Sequence, residues 1–165
     1  MAAGSTYTPI ATTTLGSAQA SYTFSSIPST YTDLVLIAMP IVSINDNMTF
    51  QFNGDTATNY STTILYGTGS AAGSTRQSNV SVPYLSYYGS AITNPTPTLI
   101  SIQNYANTTT NKTFLSRANA AASGVDAIVG MWRSLNAINS ILIKTAGGNN
   151  FQSGTTFTLY GIAAA

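Results

Sequence analysis

Charged side chains, which carry out most enzyme chemistry, are scarce in this chain of 165 residues. Its four acids and five bases are Asp33, Asp46, Asp55, Asp126, Arg76, Lys112, Arg117, Arg133 and Lys144. Histidine, cysteine and glutamate are absent from the sequence. Acid–base catalysis, thiol chemistry and zinc binding draw on those three residue types. The composition therefore predicts a protein that packs or binds, with no catalytic residue, no metal site and no cofactor.

The serines lack the partners that usually activate a nucleophile. Without histidine no Ser–His pair can form, and the sequence contains no Gly-x-Ser-x-Gly turn. A Ser–Lys pair with Lys112 or Lys144 is formally open, but Lys144 ends an apolar segment, where a lysine commonly extends to water. The glycine-rich residues 67–76 lack the Lys-Ser/Thr ending of a phosphate-binding loop. We expect neither an activated nucleophile nor a phosphate site.

Two aspartates are candidates for carboxylate chemistry. Glycoside hydrolysis needs two facing carboxyl groups, and Asp46 and Asp55 could supply them. Residues 45–47 and 53–55 each offer one carboxylate with amide oxygens, whereas a good calcium site gathers several carboxylates. Asn and Gly at positions 53 and 54 form a strong turn pair, after which Asp55 can accept backbone N–H bonds. Polar turns are the favoured interpretation of both segments.

Four side chains are candidates for contact with a glycan or a neighbouring subunit. Trp132 and Arg133 are adjacent and belong to residue types enriched at interfaces. The alternative for Trp132 is a place at the rim of the core, because an indole buries a large area. Tyr87 and Tyr88 are adjacent, so on a strand they would point to opposite faces and one would be exposed or at an interface. A solvated loop is the alternative for this pair.

Short apolar and aromatic segments, broken by Gly, Asn, Pro and Ser, predict the elements that must position these residues. The predicted strands are residues 7–14, 20–25, 32–39, 48–53, 60–66, 80–85, 98–105, 112–118, 125–133, 138–144 and 155–162. Residues 67–79 are predicted to be a surface loop. With no room for crossover helices, the strands should pair antiparallel. We predict one all-β domain over residues 1–165, a jelly-roll-like sandwich of two antiparallel sheets with about ten strands and no substantial helix. An up-and-down barrel is the alternative, and residues 1–6 are a candidate flexible or assembly arm.

Side-chain patterns predict which strand faces are covered. Residues 32–39 are nearly all apolar, so both faces should be covered, one of them by a second layer or a neighbouring subunit. In residues 125–133 the odd-numbered apolar side chains share one face, and Ile128 and Trp132 share the other. Gly161 in the last strand predicts a place where another backbone comes close.

The low charge predicts association between copies of the chain and no long-range electrostatic attraction of a charged partner. Charged residues make up 5% of the chain and the net charge is +1, so we expect no attraction to nucleic acid or to an anionic membrane. Weak self-repulsion favours an oligomer. No apolar run reaches the roughly 18 residues of a membrane span, and the first residues lack the pattern of a signal peptide. Without histidine, stability should be flat between about pH 5.5 and 8.

Five separated blocks of the chain carry a family resemblance. They are Pro9–Leu15, Phe24–Leu34, Phe52–Ser61, Gly130–Ser134 with Ala137 and Ile138, and Gly154–Ile162. In this order they resemble small virion structural proteins of tailed bacteriophages, over nearly the whole chain. The resemblance implies a β-sandwich module, commonly a homotrimer, that is made in the cytoplasm of the bacterial host and ends in the virion.

Three hypotheses follow. The first is a non-enzymatic capsid decoration or cement subunit, whose partners are the major capsid protein or other virion proteins. The second is a tail-fibre or tail-tip module that binds a host surface glycan through Trp132, Arg133, Tyr87 or Tyr88. The third is a hydrolase of cell-wall sugar that uses Asp46 and Asp55. None of them involves nucleic acid, a membrane or a cofactor.

Overall fold

The computed structural model describes residues 6–88, 95–120 and 123–163. Eleven strands and no helix lie in these residues: β1 Tyr7–Thr14, β2 Ser21–Phe24, β3 Asp33–Met39, β4 Met48–Phe52, β5 Tyr60–Gly67, β6 Ala72–Val80, β7 Thr98–Gln103, β8 Lys112–Ala120, β9 Gly124–Trp132, β10 Ile141–Thr145 and β11 Thr156–Ile162. The predicted arm lies outside the described residues except for Thr6. The described part of the chain contains no helix that is long and apolar enough to cross a membrane.

The strands form two sheets of unequal size. The large sheet has eight strands in the order β1-β11-β3-β7-β8-β9-β5-β6, and the small sheet has three in the order β2-β10-β4. Every strand pair is antiparallel. At one edge of the large sheet Tyr7 of β1 lies opposite Ile162 of β11. The all-β, two-sheet prediction is confirmed, whereas the jelly-roll connection stays a prediction.

The core lies between the small sheet and one side of the large sheet, which we call its inner face. The ring centroids of Phe50 on β4 and Phe114 on β8 are 4.8 Å apart, and those of Phe52 and Trp132 are 5.5 Å apart. The hydroxyl of Tyr60 on β5 also accepts a hydrogen bond of 2.9 Å from the backbone N–H of Phe52. Burying a ring of this size contributes about 1.5–3 kcal/mol. Aromatic packing, with one polar tie, therefore joins the two sheets.

Most strand predictions agree with the structure, and β9 shows why. Ile128 and Trp132 are buried on the inner face, while Val125 and Val129 are exposed on the other side, as the period of two predicts. β3 is also apolar on both faces: Leu34 and Leu36 are buried, and Val35 between them is 6% exposed.

Two predictions in the middle of the chain are wrong. Residues 72–80 form β6, an edge strand paired with β5, and not a loop. Their small polar side chains have low strand propensity, but backbone pairing along β5 decides the conformation. Residues 80–85 were expected to form a strand, yet Tyr84 makes only an isolated bridge to Thr49. Pro83 lacks the N–H donor that a continued ladder would need.

Gly161 is crowded by a side chain and not, as predicted, by another backbone. A Cβ atom built on Gly161 would lie 2.2 Å from Cγ of Tyr31. The ring of Tyr31 therefore covers the glycine, and the sequence signal was correct about close approach but not about what approaches.

Gly130 offers a test of core packing. A Cβ there would lie 2.0 Å from Cζ of Phe114, whose ring is held against Phe50. We expect Gly130→Ala to lower the free energy of unfolding by about 1–3 kcal/mol, because overpacking forces the ring to shift. Urea denaturation measures the change.

The matched control is Gly16→Ala. A Cβ at Gly16 meets nothing within 4 Å, and its φ is not positive. Its stability should stay close to that of the parent chain. Equal losses for the two variants would contradict the account of the Phe114 contact.

Candidate functional site

Asp55 holds the turn that the sequence predicted. Asn53 and Gly54 have positive φ values of 53° and 65°. Oδ1 of Asp55 accepts the backbone N–H of Ala57 at 2.8 Å, which confirms the predicted backbone bond. Oδ2 accepts the side-chain amide of Asn59 at 2.9 Å and the indole N–H of Trp132 at 2.6 Å. Burial raises the pKa of Asp55, but these hydrogen bonds outweigh it and hold the pKa below its ordinary value.

Asp46 and Asp33 also serve the fold. The carboxylate of Asp46 accepts the backbone N–H of Gly147 at 2.9 Å and the side-chain amide of Asn149 at 3.0 Å. Oδ1 of Asp33 accepts the backbone N–H of Asn104 at 2.8 Å. In the described residues no three potential ligands gather to hold a metal ion. Asp46 and Asp55 thus each join a turn to a distant part of the chain, and the hydrolase hypothesis gains no support from these contacts.

Trp132 is a core residue. Only 2% of its surface is exposed, and its ring stacks on Tyr60 with centroids 6.2 Å apart. Arg133 is half-buried and donates hydrogen bonds to the hydroxyl of Ser61 at 2.7 Å and to the carbonyl of Thr58 at 2.8 Å. The predicted contact through Trp132 is therefore wrong: the indole is enclosed, and the alternative of a core position holds. The hydrogen bond between Trp132 and Asp55 could not be predicted from a local sequence pattern, because the two residues are far apart in the sequence.

Tyr87 and Tyr88 lie in an irregular segment and do not point to opposite faces. Both rings lie against Tyr66, with centroids 5.5 and 5.4 Å away, and Tyr84 contacts Tyr87. We call these four half-buried residues the tyrosine cluster. The opposite-face prediction fails because it assumed a strand, and the segment after Pro83 is not extended. All four residues remain partly exposed to solvent.

Asp126 supports the tyrosine cluster from the inner face. It is 6% exposed, and its Oδ2 accepts the backbone N–H groups of Tyr87 and Tyr88 at 3.0 and 2.9 Å. Its Oδ1 finds no hydrogen-bond partner in the part of the chain that the structure describes. Burial raises the pKa of Asp126, and the two N–H bonds only partly offset that effect. This carboxyl was not singled out by sequence reasoning.

Lys112 is a second inward charge that the sequence did not reveal. It is fully buried across from Trp132, and its Nζ donates a hydrogen bond of 2.8 Å to the carbonyl of Thr110. Burial lowers the pKa of Lys112. Lys144, which was expected to reach water, is half-buried on β10.

A further feature of the surface is the side of the large sheet that faces away from the small sheet, which we call the outer face. Its apolar members are Ile37, Leu65, Leu99, Leu115, Val125, Ala127, Val129 and Met131. Leu65 is 59% exposed and Val129 is 58% exposed. The register puts Leu115 beside Val129 and Ala127 beside Leu65, so the patch is continuous across β8, β9 and β5. The odd-numbered side chains of β9 predicted its centre from sequence.

A scan against protein-family models finds no match for this chain, and a search of curated proteins finds none either. The resemblance to phage virion proteins therefore stays a prediction.

The buried carboxyl predicts a pH effect. Because the folded pKa of Asp126 is raised, the folded state binds more protons than the unfolded state above about pH 3.9, and stability falls as pH rises through the folded pKa. We expect Asp126→Asn to raise the unfolding free energy at pH 7 by about 1 kcal/mol, since it removes a buried charge with an unpartnered oxygen. At pH 3 the gain should vanish.

Thermal unfolding from pH 3 to pH 8 measures this difference. Asp33→Asn is the control, because it also removes one carboxylate but from a half-buried position that bonds a backbone N–H. A gain for Asp126→Asn that is equal at all pH values would count against the buried charge as its cause.

Proposed function

We propose that this chain is a non-enzymatic structural subunit of a bacteriophage particle, a capsid decoration or cement protein. The observation that carries the proposal is the outer face: a continuous apolar surface that the chain's own small sheet leaves uncovered. Exposed apolar patches of this kind mark interaction surfaces on soluble proteins. The resemblance of the five blocks supplies the setting.

The size of the outer face fits such a role. Eight strands about 4.8 Å apart and about 25 Å long span about 900 Å², and the five of them that carry the apolar members span about 600 Å². A standard interface buries about 800 Å² on each partner. Apolar burial contributes about 25 cal/mol per Å² before the costs of association are subtracted. A surface of this extent is sufficient to hold a subunit on a larger assembly.

The hydrogen bonds of the carboxylates support the same proposal. Asp33, Asp46, Asp55 and Asp126 all accept N–H groups from loops or turns. Acids used in this way organise the backbone. The chain is thus suited to keep one conformation and to offer a surface.

Self-association tests the proposal. The low charge and the resemblance predict a homotrimer, so sedimentation equilibrium of the purified chain at micromolar concentration should give the mass of three chains. Sedimentation as a monomer across the micromolar range would contradict an oligomeric decoration subunit. An electron-microscopy map of the parent particle would then show whether the chain occupies the capsid or the tail.

The tyrosine cluster favours a second candidate, a tail-fibre or tail-tip module that binds a host surface glycan. Half-exposed aromatic rings suit stacking on a sugar, and four of them meet here. Arg133 is committed to Ser61 and Thr58, so the rings would carry the contact.

A glycan array followed by titration tests this candidate. Binding should fall about ten-fold or more in Tyr88→Ala, because a stacking ring is lost. Tyr7→Ala is the control, since Tyr7 lies on β1 and is 55% exposed. An array without hits, or equal losses in both variants, would exclude the tyrosine cluster as a glycan site.

A further inference from the structure

Arg117 lies in the middle of the apolar part of the outer face. It is exposed on β8, directly between Leu99 of β7 and Ala127 of β9 in the register. Leu115 is the next side chain on the same face of β8 and is 46% exposed. Any partner that covers these apolar side chains therefore also covers the guanidinium.

Covering an arginine has a definite electrostatic requirement. Removing a charge from water is unfavourable unless an opposite charge with good hydrogen-bond geometry replaces the water. A carboxylate is the natural replacement, because it pairs with the guanidinium through two parallel hydrogen bonds. The partner must supply that carboxylate if the chain itself cannot.

The chain's own acids make their hydrogen bonds elsewhere. Asp126 lines the cavity beside Arg117, but its Oδ2 bonds the backbone N–H groups of Tyr87 and Tyr88 on the inner side. Asp33 is on the outer side of β3, but it lies four residues, or about 13 Å, along the strand from Ile37 at the level of Arg117. Its carboxylate bonds the backbone N–H of Asn104. The apolar patch thus carries a cation that makes no ion pair with an acid of the described residues.

A second copy of the chain does not meet this requirement face to face. In a two-fold pair each residue meets the symmetry-related part of the same patch. Because Arg117 lies near the centre of the patch, such a pair would bring the two guanidinium groups together. Like charges opposed in an interface cost free energy, so the occupant must differ from this face.

An open cavity next to Arg117 completes the surface. It has a volume of about 480 Å³, and its lining residues are Ile37, Pro97, Leu99, Ala118, Asn119, Val125 and Asp126 beside Arg117. A cavity with apolar walls beside an arginine can hold an anchoring side chain of a partner.

The geometry points to the outer face as a docking surface for a different protein chain, one that presents a carboxylate framed by apolar side chains to Arg117. This inference rests on the proposed function and names the chemistry of the partner at that surface. In a particle, the partner is the protein that the subunit decorates, while contacts between copies use other surfaces.

Two short synthetic peptides test the inference on the full chain. One carries a single glutamate flanked by valine and threonine, and its twin carries glutamine in place of the glutamate. Chemical-shift titration of the backbone amides should place the glutamate peptide on Leu99, Leu115, Arg117 and Ala127. The glutamine twin should bind about ten-fold more weakly, because the charge-assisted bonds are lost.

Two variants of the chain make the result specific. Arg117→Gln should weaken the glutamate peptide about ten-fold and bring it level with its twin. Lys144→Gln removes the same charge from the small sheet and should change the affinity less than about two-fold. Circular dichroism of both variants verifies that the fold is retained.

The opposite outcomes would overturn the inference. The inference fails if the two peptides bind with equal affinity, or if Arg117→Gln leaves the affinity for the glutamate peptide unchanged. It also fails if the chemical-shift changes are confined to another surface, or if no binding is seen at millimolar peptide. Self-association that protects the same amides would make a second copy the occupant. Tighter binding of phosphatidylglycerol vesicles at these amides would make a lipid surface the occupant. If the chain sediments as a monomer but binds the glutamate peptide, the proposed homotrimer is contradicted and the inference about the outer face is retained.

Discussion

The fold depends on the packing of two sheets of unequal size, since a sheet of three strands packs on a sheet of eight. Phe50 and Phe52 of the small sheet fill the space against Phe114, Tyr60 and Trp132, and this contact fixes which side of the large sheet is inside. Because one side is fixed, the alternation of every strand sends the remaining side chains to the other side. The outer face is therefore a direct result of the core, and its apolar character is what requires explanation.

Four carboxylates hold the loops between strands, a role that disulfides or helices have in other small folds. The chain has no disulfide and, in its described residues, no helix to brace a loop. Asp55 ties a turn to Trp132 of β9, and Asp126 fixes the segment that carries Tyr87 and Tyr88. These bonds explain how a surface with so little charge can still have defined loops.

The sequence revealed what depends on a short period and missed what depends on distant partners. The faces of β9 and the turn at Asn53 follow from neighbouring residues, so both could be predicted. β6 could not, because pairing along β5 overrides the weak strand propensity of its small polar residues. Trp132 was a candidate contact because its type suggests one, but its burial depends on β4 and Asp55. The inward direction of Asp126 and the place of Arg117 on the outer face needed the register.

The pairing of β1 with β11 determines how the protein can bear mechanical load. Tyr7 and Ile162 lie opposite each other at the same end of an antiparallel pair. Tension applied at these two residues would open the ladder one hydrogen bond at a time, like a zipper, because the bonds run across the strands. Force that enters through the outer face is instead shared by many strands at once. A protein with this topology resists stress best when it is held by its outer face.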